Sequence, residues 1–302
     1  MKKYVDLHLH SCHSDGVHTP AELVTMAAQQ GLTAIAIADH DAIDGIDEAL
    51  EAGLRLNVEV IPAVELSVQH RRYRDVHVLG YCIDHRDPAF RELLAQFKTA
   101  RDNRGRAILD KINQRLVKAR KATLSYDRVL AIAEGAVGRP HIARILIDEG
   151  YARDMEDAFR RFLIPCDVPK HYLPAAEAIA EVRRIGGVAV LAHPNAITDD
   201  RRELRRIVAE LTAAGLDGIE VFNNMCFKDD MLFMESLAVE FDLLMSGGSD
   251  FHGFEDDVQI GVGRGGLAVA HNLAVGLKAR AATRQPSSCV TEHPVGSDER
   301  YA

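Results

Sequence analysis

The sequence predicts an α/β fold in which a mainly parallel sheet is either open or closed into a barrel, with an irregular barrel preferred. Two observations lead to this class. Seven short apolar runs mostly alternate with helical segments, which is typical of parallel sheets. The chain has 302 residues, of which 47% are hydrophobic and 27% charged. This is the composition of a globular protein, and the length suits two domains or one α/β barrel.

The first elements carry clear start and stop signals. A strand is predicted over residues 4–10 and a helix over 19–30. Thr19 and Glu22 form a Thr-x-x-Glu capping box, Pro20 suits the first helical turn, and Gly31 ends the helix. Further strands are predicted at 34–38, 58–64, 76–81, 188–191, 218–221 and 243–245, with helices at 44–55 and at about 178–186, 201–214 and 228–240.

The strand signal disappears between residues 88 and 173, which we predict to be an all-helical insertion. Its helices are expected at 88–120, 125–134, 140–149 and 154–163. The barrel would then consist of residues 1–87 and 174–283. Residues 284–302 are polar and rich in turn-forming residues, which predicts a mobile tail.

Composition excludes several classes of protein. The formal charge of −9 argues against wholesale coating of nucleic acid. No run approaches the roughly 18 apolar residues that a membrane span needs, and the start of the chain lacks an apolar signal core. The five cysteines form no CxxC pair, which favours reduced thiols and a cytoplasmic location. No stable protein partner is implied.

Potential metal ligands follow most of the predicted strands. The carboxyl ends of parallel strands meet at one face of a sheet, so these residues are expected to converge there. Imidazole and carboxylate ligands without thiolate suit Mn, Fe or Zn in a catalytic site, and the set is large enough for two or three ions. Such ions acidify a bridging water and clamp anionic oxygens, which predicts hydrolysis. The predicted ligands are His8, His10, Asp15, His40, Glu65, His77, His193, Asp250 and His252.

These motifs together resemble the PHP (polymerase and histidinol phosphatase) family of metallophosphoesterases. The resemblance rests on HLHSCHSDGVHTPAEL, IADHD, Glu65, His77, AHP at 192–194 and GSDFHG at 248–253. It implies an irregular (β/α)7 barrel with up to three divalent ions, commonly manganese. It further implies three ligand sets: His8, His10, Glu65 and Asp250; Glu65, His77 and His193; and Asp15, His40 and His252. Glu65 belongs to the first two sets and is the expected bridge.

The helical region adds a resemblance to one subgroup. RPHIAR at 139–144 and VPKHYLP at 168–174 resemble small stand-alone PHP phosphatases that act on nucleoside 3′,5′-bisphosphates and short RNA ends. Residues 98–121 carry nine Lys or Arg and two Asp, a net +7, most of which we expect to be solvated. The predicted substrate contacts are Asn103, Arg104, Arg139 and Lys170. Gly105 is expected to allow close approach of a phosphate.

The predicted function is hydrolysis of the 3′-phosphate of a nucleoside 3′,5′-bisphosphate, which yields the 5′-monophosphate. A metal-bridging hydroxide would attack, and either metal-held water or one of His40, His193 and His252 would protonate the leaving group. A 5′–3′ exoribonuclease acting on short RNA would use the same site. A histidinol-phosphate phosphatase is less attractive, because its small substrate needs no cationic wall. A metal-stabilised interaction module of a polymerase ranks low, since no polymerase-sized remainder exists.

Overall fold

The computed structural model describes residues 3–133 and 137–284, and the predicted tail lies outside this range from residue 285 onward. The chain begins with β1 (Tyr4–Leu9), α1 (Pro20–Gln29), β2 (Ala34–Ile37), α2 (Ile46–Leu56) and β3 (Glu59–Val60). The capping box of α1 forms as predicted, because Thr19 and Glu22 each accept a hydrogen bond from the other's backbone N–H. Gly31 follows with a φ of +70°.

The next two strands correct the prediction of a parallel arrangement. β4 (Ala63–His70) and β5 (Tyr73–Tyr81) are antiparallel, and β5 is also antiparallel to a later strand. Only residues 71 and 72 join β4 to β5, and so short a connection forces a hairpin. The single strand predicted over 58–64 is also wrong. It divides into β3 and β4 near Pro62, which has no N–H for a strand ladder.

The middle of the chain is helical and has its own core. It contains α3 (Pro88–Lys118), α4 (Tyr126–Ile132), α5 (Arg139–Asp148), α6 (Met155–Ala158) and a π-helical turn over Phe159–Leu163. Its buried apolar residues form one cluster drawn from positions 108–166. Gly105 is part of this packing. A Cβ there would lie 3.0 Å from Val137 and 3.2 Å from the hydroxyl of Tyr126, so the glycine admits neighbouring protein atoms and not a phosphate.

The chain then returns to alternating strands and helices. They are β6 (Leu173–Pro174), α7 (Ala175–Arg184), β7 (Val188–Leu191), a 3₁₀ turn (Pro194–Ala196), α8 (Arg201–Ala213), β8 (Gly218–Phe222), α9 (Lys228–Glu240), β9 (Leu244–Gly247), β10 (Val269–Ala270) and α10 (His271–Ala282). The short strand β6 pairs in parallel with β4, and β7, β8 and β9 are parallel neighbours.

Two sheets result, with the orders β10-β1-β2-β3 and β6-β4-β5-β7-β8-β9. Backbone hydrogen bonds join them at two places. Asp41 N–H donates to Glu65 O at 2.9 Å, just beyond β2, and Asp250 N–H donates to His8 O at 2.9 Å, just beyond β9. One apolar cluster contains residues of both sheets, including Leu7, Ala36 and Val190. The fold is therefore mixed α/β, with the carboxyl ends of its parallel strands at one end of this shared core.

Candidate metal centre

Glu65, on β4, lies at the centre of a group of imidazoles. Its Oε1 is 3.0 Å from His77 Nδ1, 3.0 Å from His193 Nε2 and 3.4 Å from His8 Nε2. Its Oε2 is 2.8 Å from His40 Nδ1 and 3.4 Å from His10 Nε2. The carboxylate has no exposure to solvent. Five of the six predicted histidine ligands therefore surround one buried carboxylate, although they lie on or just after four different strands.

The remaining predicted ligands lie beside this group. His10 Nε2 is 3.0 Å from Asp250 Oδ1, and its Nδ1 is 3.8 Å from Asp15 Oδ1. Asp15 also faces His252 Nε2 at 3.3 Å and His40 Nε2 at 3.8 Å. All nine predicted ligands thus form one continuous cluster. Candidate ligand atoms of three overlapping subsets lie within 4.8 Å of one another: His10, Asp15, His40 and His252; His8, His10 and Glu65; and His40, Glu65 and His77.

The donor atoms of the cluster fit metal ions. Several of its buried nitrogen and oxygen atoms have no hydrogen-bond partner of acceptable geometry, although they lie close to one another. Buried polar atoms in native proteins are normally paired, so a group of unpaired ones indicates an additional ligand. A cation placed among them would satisfy nitrogen and carboxylate oxygen together. The atoms concerned are His8 Nε2, both ring nitrogens of His10, Asp15 Oδ1, His40 Nδ1, Glu65 Oε2 and His77 Nε2.

The cluster places carboxylates and imidazoles, whose charges have opposite sign, close together and away from water. Burial opposes the ionisation of Glu65, but the imidazoles of His77, His40 and His8 outweigh it and hold the pKa of Glu65 well below its usual range. Burial likewise opposes a charge on His252, yet the carboxylates of Asp15 and Asp250 raise the pKa of His252 to about 10. The carboxylates are therefore kept ionised, which is the state in which they bind cations.

Three further buried carboxylates support the cluster. Asp6 accepts hydrogen bonds from the N–H groups of Ser249 and Gly261, at 2.8 and 2.7 Å, and so holds the loop that carries Asp250. Asp39 accepts bonds from Ser11 and Ser14 in the loop that carries Asp15. Glu220 accepts from the N–H of His193 at 2.7 Å and lies 3.0 Å from His8 Nδ1.

The sequence interpretation did not assign a role to Glu220. The signal was present, because Glu220 is an acidic residue inside the apolar strand β8 (GIEVF), where a charge is costly unless it is paired. Asp6 and Asp39 lie two positions and one position before the predicted ligands His8 and His40. Their positions as acceptors for distant loops depend on contacts that no sequence spacing indicates.

The backbone is strained where the cluster meets its loops. Asp41, His193 and Asp250 have φ values of 52°, 24° and 51°, in the region that favours glycine. Such residues cost roughly 1–3 kcal/mol each and persist where the surroundings determine them. Gly248 is also required nearby, because a Cβ would lie 2.3 Å from the backbone nitrogen of His8. The approach of β9 to β1 depends on that glycine.

A cavity of about 430 Å³ opens directly from the cluster, and Asp15, His40 and His77 form part of its wall. Three of the four predicted substrate contacts, Arg104, Arg139 and Lys170, line this cavity. The fourth, Asn103, is exposed on α3 and does not line it. Arg101 lines the cavity too, and its guanidinium pairs with Asp41 Oδ2 at 2.5 Å. Arg101 is one of the nine basic residues at 98–121 and is not among the predicted substrate contacts.

Two of the cations that line this cavity, Arg104 and Lys170, already contact other groups of the protein. Arg104 donates to the backbone oxygen of Val168 at 2.6 Å and to Asp167 at 2.7 Å. Lys170 lies 3.5 Å from Asp75, and burial lowers the pKa of Lys170 against the opposing effect of Asp41. Aromatic side chains complete the wall, with Phe97 and His171 packed at a centroid distance of 5.4 Å.

A model of the PHP domain family matches residues 6–164, more than half of the chain. The chain belongs to the PHP family. A 5′–3′ exoribonuclease of Haemophilus influenzae is 36% identical over 83% of this chain and 91% of that protein. A 3′,5′-nucleoside bisphosphate phosphatase of Chromobacterium violaceum is 33% identical over 88% of this chain and 90% of that protein.

Solved structures agree with the family. A Bifidobacterium adolescentis protein, provisionally described as a metal-dependent phosphoesterase, superposes with a TM-score of 0.79. The match has 28% identity and covers 92% of this chain and 96% of that one. The PHP relatives indicate that this protein is a hydrolase, and its His, Asp and Glu clusters are of the kind that binds metal. Within residues 3–133 and 137–284, no helix has the length and apolar character to cross a membrane.

Proposed function

We propose that this PHP protein is a metal-dependent phosphomonoesterase that removes the 3′-phosphate of nucleoside 3′,5′-bisphosphates. The observation that carries the proposal is the juxtaposition of the ligand cluster with a cationic cavity. His40 and His77 belong to the cluster and also line the cavity that contains Arg101, Arg104 and Lys170. A phosphate at the cluster therefore has room beside it for a sugar and a second phosphate.

Two or three divalent ions, most simply manganese, are proposed to occupy the cluster, with iron or zinc as alternatives. The proposed sets are His8, His10, Glu65 and Asp250; Glu65, His77 and His193; and Asp15, His40 and His252. Bound ions would acidify a water molecule and neutralise the oxygens of the phosphate. Six of these nine residues have unpaired buried atoms, which supports the assignment. Glu65 supports it as a bridge, because its two oxygens face different imidazoles.

The chain's own cations would position the second phosphate. Arg104 and Arg139 present guanidinium groups, which bind phosphate through two parallel hydrogen bonds. Lys170, which also lines the cavity, adds a third positive charge. Phe97, Phe159 and His171 provide aromatic surface on which a base can stack. Asn103 is left out of this proposal because it does not line the cavity.

We also propose that the chain is divided into a barrel and a helical insertion. Residues 1–87 and 174–283 would form an irregular (β/α)7 barrel, supported by the hydrogen bonds that join the two sheets at Asp41 and Asp250. Residues 88–173 would form the helical insertion that supplies one wall of the cavity, supported by their separate apolar cluster. A cytoplasmic location is proposed from the predicted reduced state of the cysteines.

The test is phosphate release with Mn²⁺ from adenosine 3′,5′-bisphosphate and from 3′-AMP, with adenosine 5′-monophosphate identified as the product of the first. We expect the bisphosphate to react with the higher kcat/KM, because only it engages both parts of the site. Equal kcat/KM values for the two compounds would mean that the protein does not recognise the second phosphate. If neither compound releases phosphate, 3′-phosphorylated nucleosides are not substrates and the proposal is wrong.

A 5′–3′ exoribonuclease is the second candidate, and the 36% identical relative of that name favours it. It would use the same cluster, with the rest of the RNA leaving the cavity. A labelled short oligoribonucleotide distinguishes the two activities. A ladder of products shortened from the 5′ end supports the exoribonuclease, and loss of a terminal 3′-phosphate alone supports the phosphatase.

A further inference from the structure

A second cavity, of about 340 Å³, lies near the carboxyl end of α3. Its charged lining residues are Arg115, Lys121, Arg160 and Arg161, and the other described lining residues are apolar. By contrast, the cavity at the metal cluster also contains acidic residues such as Asp41. Among the described residues, the second cavity is lined by four cations and by no carboxylate, although the chain as a whole has a net charge of −9. We refer to this feature as the distal basic cavity.

A single buried carboxylate holds two of the three arginines that line the distal basic cavity, Arg160 and Arg161. Asp157, only 3% exposed, lies 3.0 Å from Arg160 and 2.9 Å from Arg161, with Arg153 at 3.8 Å. One negative charge cannot neutralise three guanidinium groups, so two positive charges remain uncompensated. Arg160 and Arg161 are 64% and 46% exposed, which leaves these charges accessible. Side chains that are already fixed lose less conformational entropy when they bind an anion.

A row of basic residues connects the two cavities. Arg104, Lys111 and Arg115 are separated by seven and four positions, which places them on one face of α3. All three contact the same segment: Arg104 donates to Val168 O, Lys111 donates to Asp167 O at 2.7 Å, and Arg115 lies 3.7 Å from Cys166 Sγ. The row therefore lies where α3 packs against residues 166–168.

The length of this row matches a short oligonucleotide. From Arg104, in the first cavity, to Arg115, in the second, the helix rises roughly 16 Å at about 1.5 Å per residue. A stacked strand advances about 3.4 Å per nucleotide, so this rise corresponds to about five nucleotides. A mononucleotide at the metal cluster cannot reach the distal basic cavity.

We infer that the distal basic cavity binds the phosphodiester backbone of single-stranded RNA whose 5′ end lies at the metal cluster. The inference rests on the proposed hydrolysis at that cluster, in its exoribonuclease form, and extends it, because it assigns a binding site to the part of the RNA that lies beyond the cluster. The cations contact phosphates and not base edges, so binding is independent of sequence and sensitive to salt.

The test compares the wild-type protein with a double variant, Lys121→Gln with Arg160→Gln. Arg161 and Arg153 remain on Asp157 in this variant, so the carboxylate stays paired. Initial rates are measured with Mn²⁺ on 5′-phosphorylated RNAs, from a dinucleotide to an oligomer of about 12 nucleotides. We expect the double variant to lose about tenfold in kcat/KM on the longest RNA, through KM, and nothing on the dinucleotide. For the long RNA, the slope of log(kcat/KM) against log[salt] should be shallower in the double variant by about 1.4.

The matched control removes two exposed charges elsewhere, Arg55→Gln with Arg202→Gln, and should behave as wild type at every length. If the Lys121 and Arg160 variant hydrolyses long RNA as the wild type does, the inference is overturned while the proposed function stands. If the wild-type protein hydrolyses neither nucleotide nor RNA, the proposed function fails. The inference is then decided by fluorescence anisotropy of the long RNA without added metal, where it requires the variant to bind about tenfold more weakly than wild type.

Discussion

Nδ1 of His8 lies 3.0 Å from Oε1 of Glu220, and both side chains are completely buried. The same carboxylate accepts a hydrogen bond from the N–H of His193 through its other oxygen. Glu220 therefore holds two members of the cluster from the side opposite the proposed ions. Because Glu220 accepts a hydrogen bond from Nδ1–H of His8, Nε2 of His8 is the nitrogen that faces Glu65 and Asp250.

Replacement of Glu220 is expected to weaken metal binding without changing any proposed ligand. Glu220→Gln keeps the shape of the side chain but removes the negative charge that makes His8 a stronger metal ligand. Loss of such a partner typically costs 10–100-fold in metal affinity or activity, and we expect roughly that loss for Mn²⁺. Calorimetric titration of metal-free protein measures it. Glu210→Gln, which alters a carboxylate on α8, is the control, and equal affinities in all three proteins would contradict the role of Glu220.

Removal of metal is expected to destabilise the protein. Without cations the buried carboxylates and imidazoles of the cluster keep their unpaired atoms, and an ion at 100 times its Kd contributes about 2.7 kcal/mol to stability. We therefore expect Mn²⁺ to raise the Tm of chelator-treated protein in a thermal melt. Glu65→Gln should remove most of this rise together with at least about 99% of the activity, since two of the three proposed ligand sets contain Glu65. A full metal-dependent rise in the variant would argue against Glu65 as a ligand.

Arg139 is expected to act on the second phosphate only. Its guanidinium lies 3.7 Å from Asp167, so little is lost from the fold when it is replaced. A hydrogen bond to a charged group contributes about 1.5–3 kcal/mol, which predicts at least about a tenfold lower kcat/KM for adenosine 3′,5′-bisphosphate in Arg139→Gln. The value for 3′-AMP should stay within about twofold. Steady-state kinetics on the two substrates give the answer, and a parallel loss on both would place Arg139 at the scissile phosphate or in the fold.

Asp87 is expected to contribute stability that depends on pH. Its carboxylate caps α3 through the N–H of Phe90 and pairs with Arg184 at 2.6 Å, and these contacts lower the pKa of Asp87 to about 2. A depressed folded-state pKa gives stability that is present above the unfolded value of 3.8 and is lost as pH falls towards 2. Asp87→Asn keeps the cap but not the charge.

Urea unfolding should therefore show wild type more stable than Asp87→Asn at neutral pH, by about 1 kcal/mol or less because the pair is partly solvated. The difference should shrink as pH is lowered below about 4. A difference that stays constant across this range would mean that shape, and not charge, distinguishes the two side chains.

The sequence alone determined the composition of the candidate centre. His, Asp and Glu residues that follow apolar runs indicate strand ends, and parallel strands carry their ends to one face. All nine predicted ligands accordingly lie in one cluster around Glu65. The capping box of α1 was predictable for a similar reason, since its signals lie within four residues of one another.

Tertiary structure decided what depends on contacts between distant segments. The hairpin of β4 and β5 reversed one strand, and Glu220, Asp6 and Asp39 became supporting acids through partners 25 or more residues away. Arg101 lines the cavity and Asn103 does not, although they are two positions apart, because successive helical residues point about 100° apart. The pattern of residue types is local and can be read along the chain, whereas the direction and partner of each side chain are set only when the segments pack.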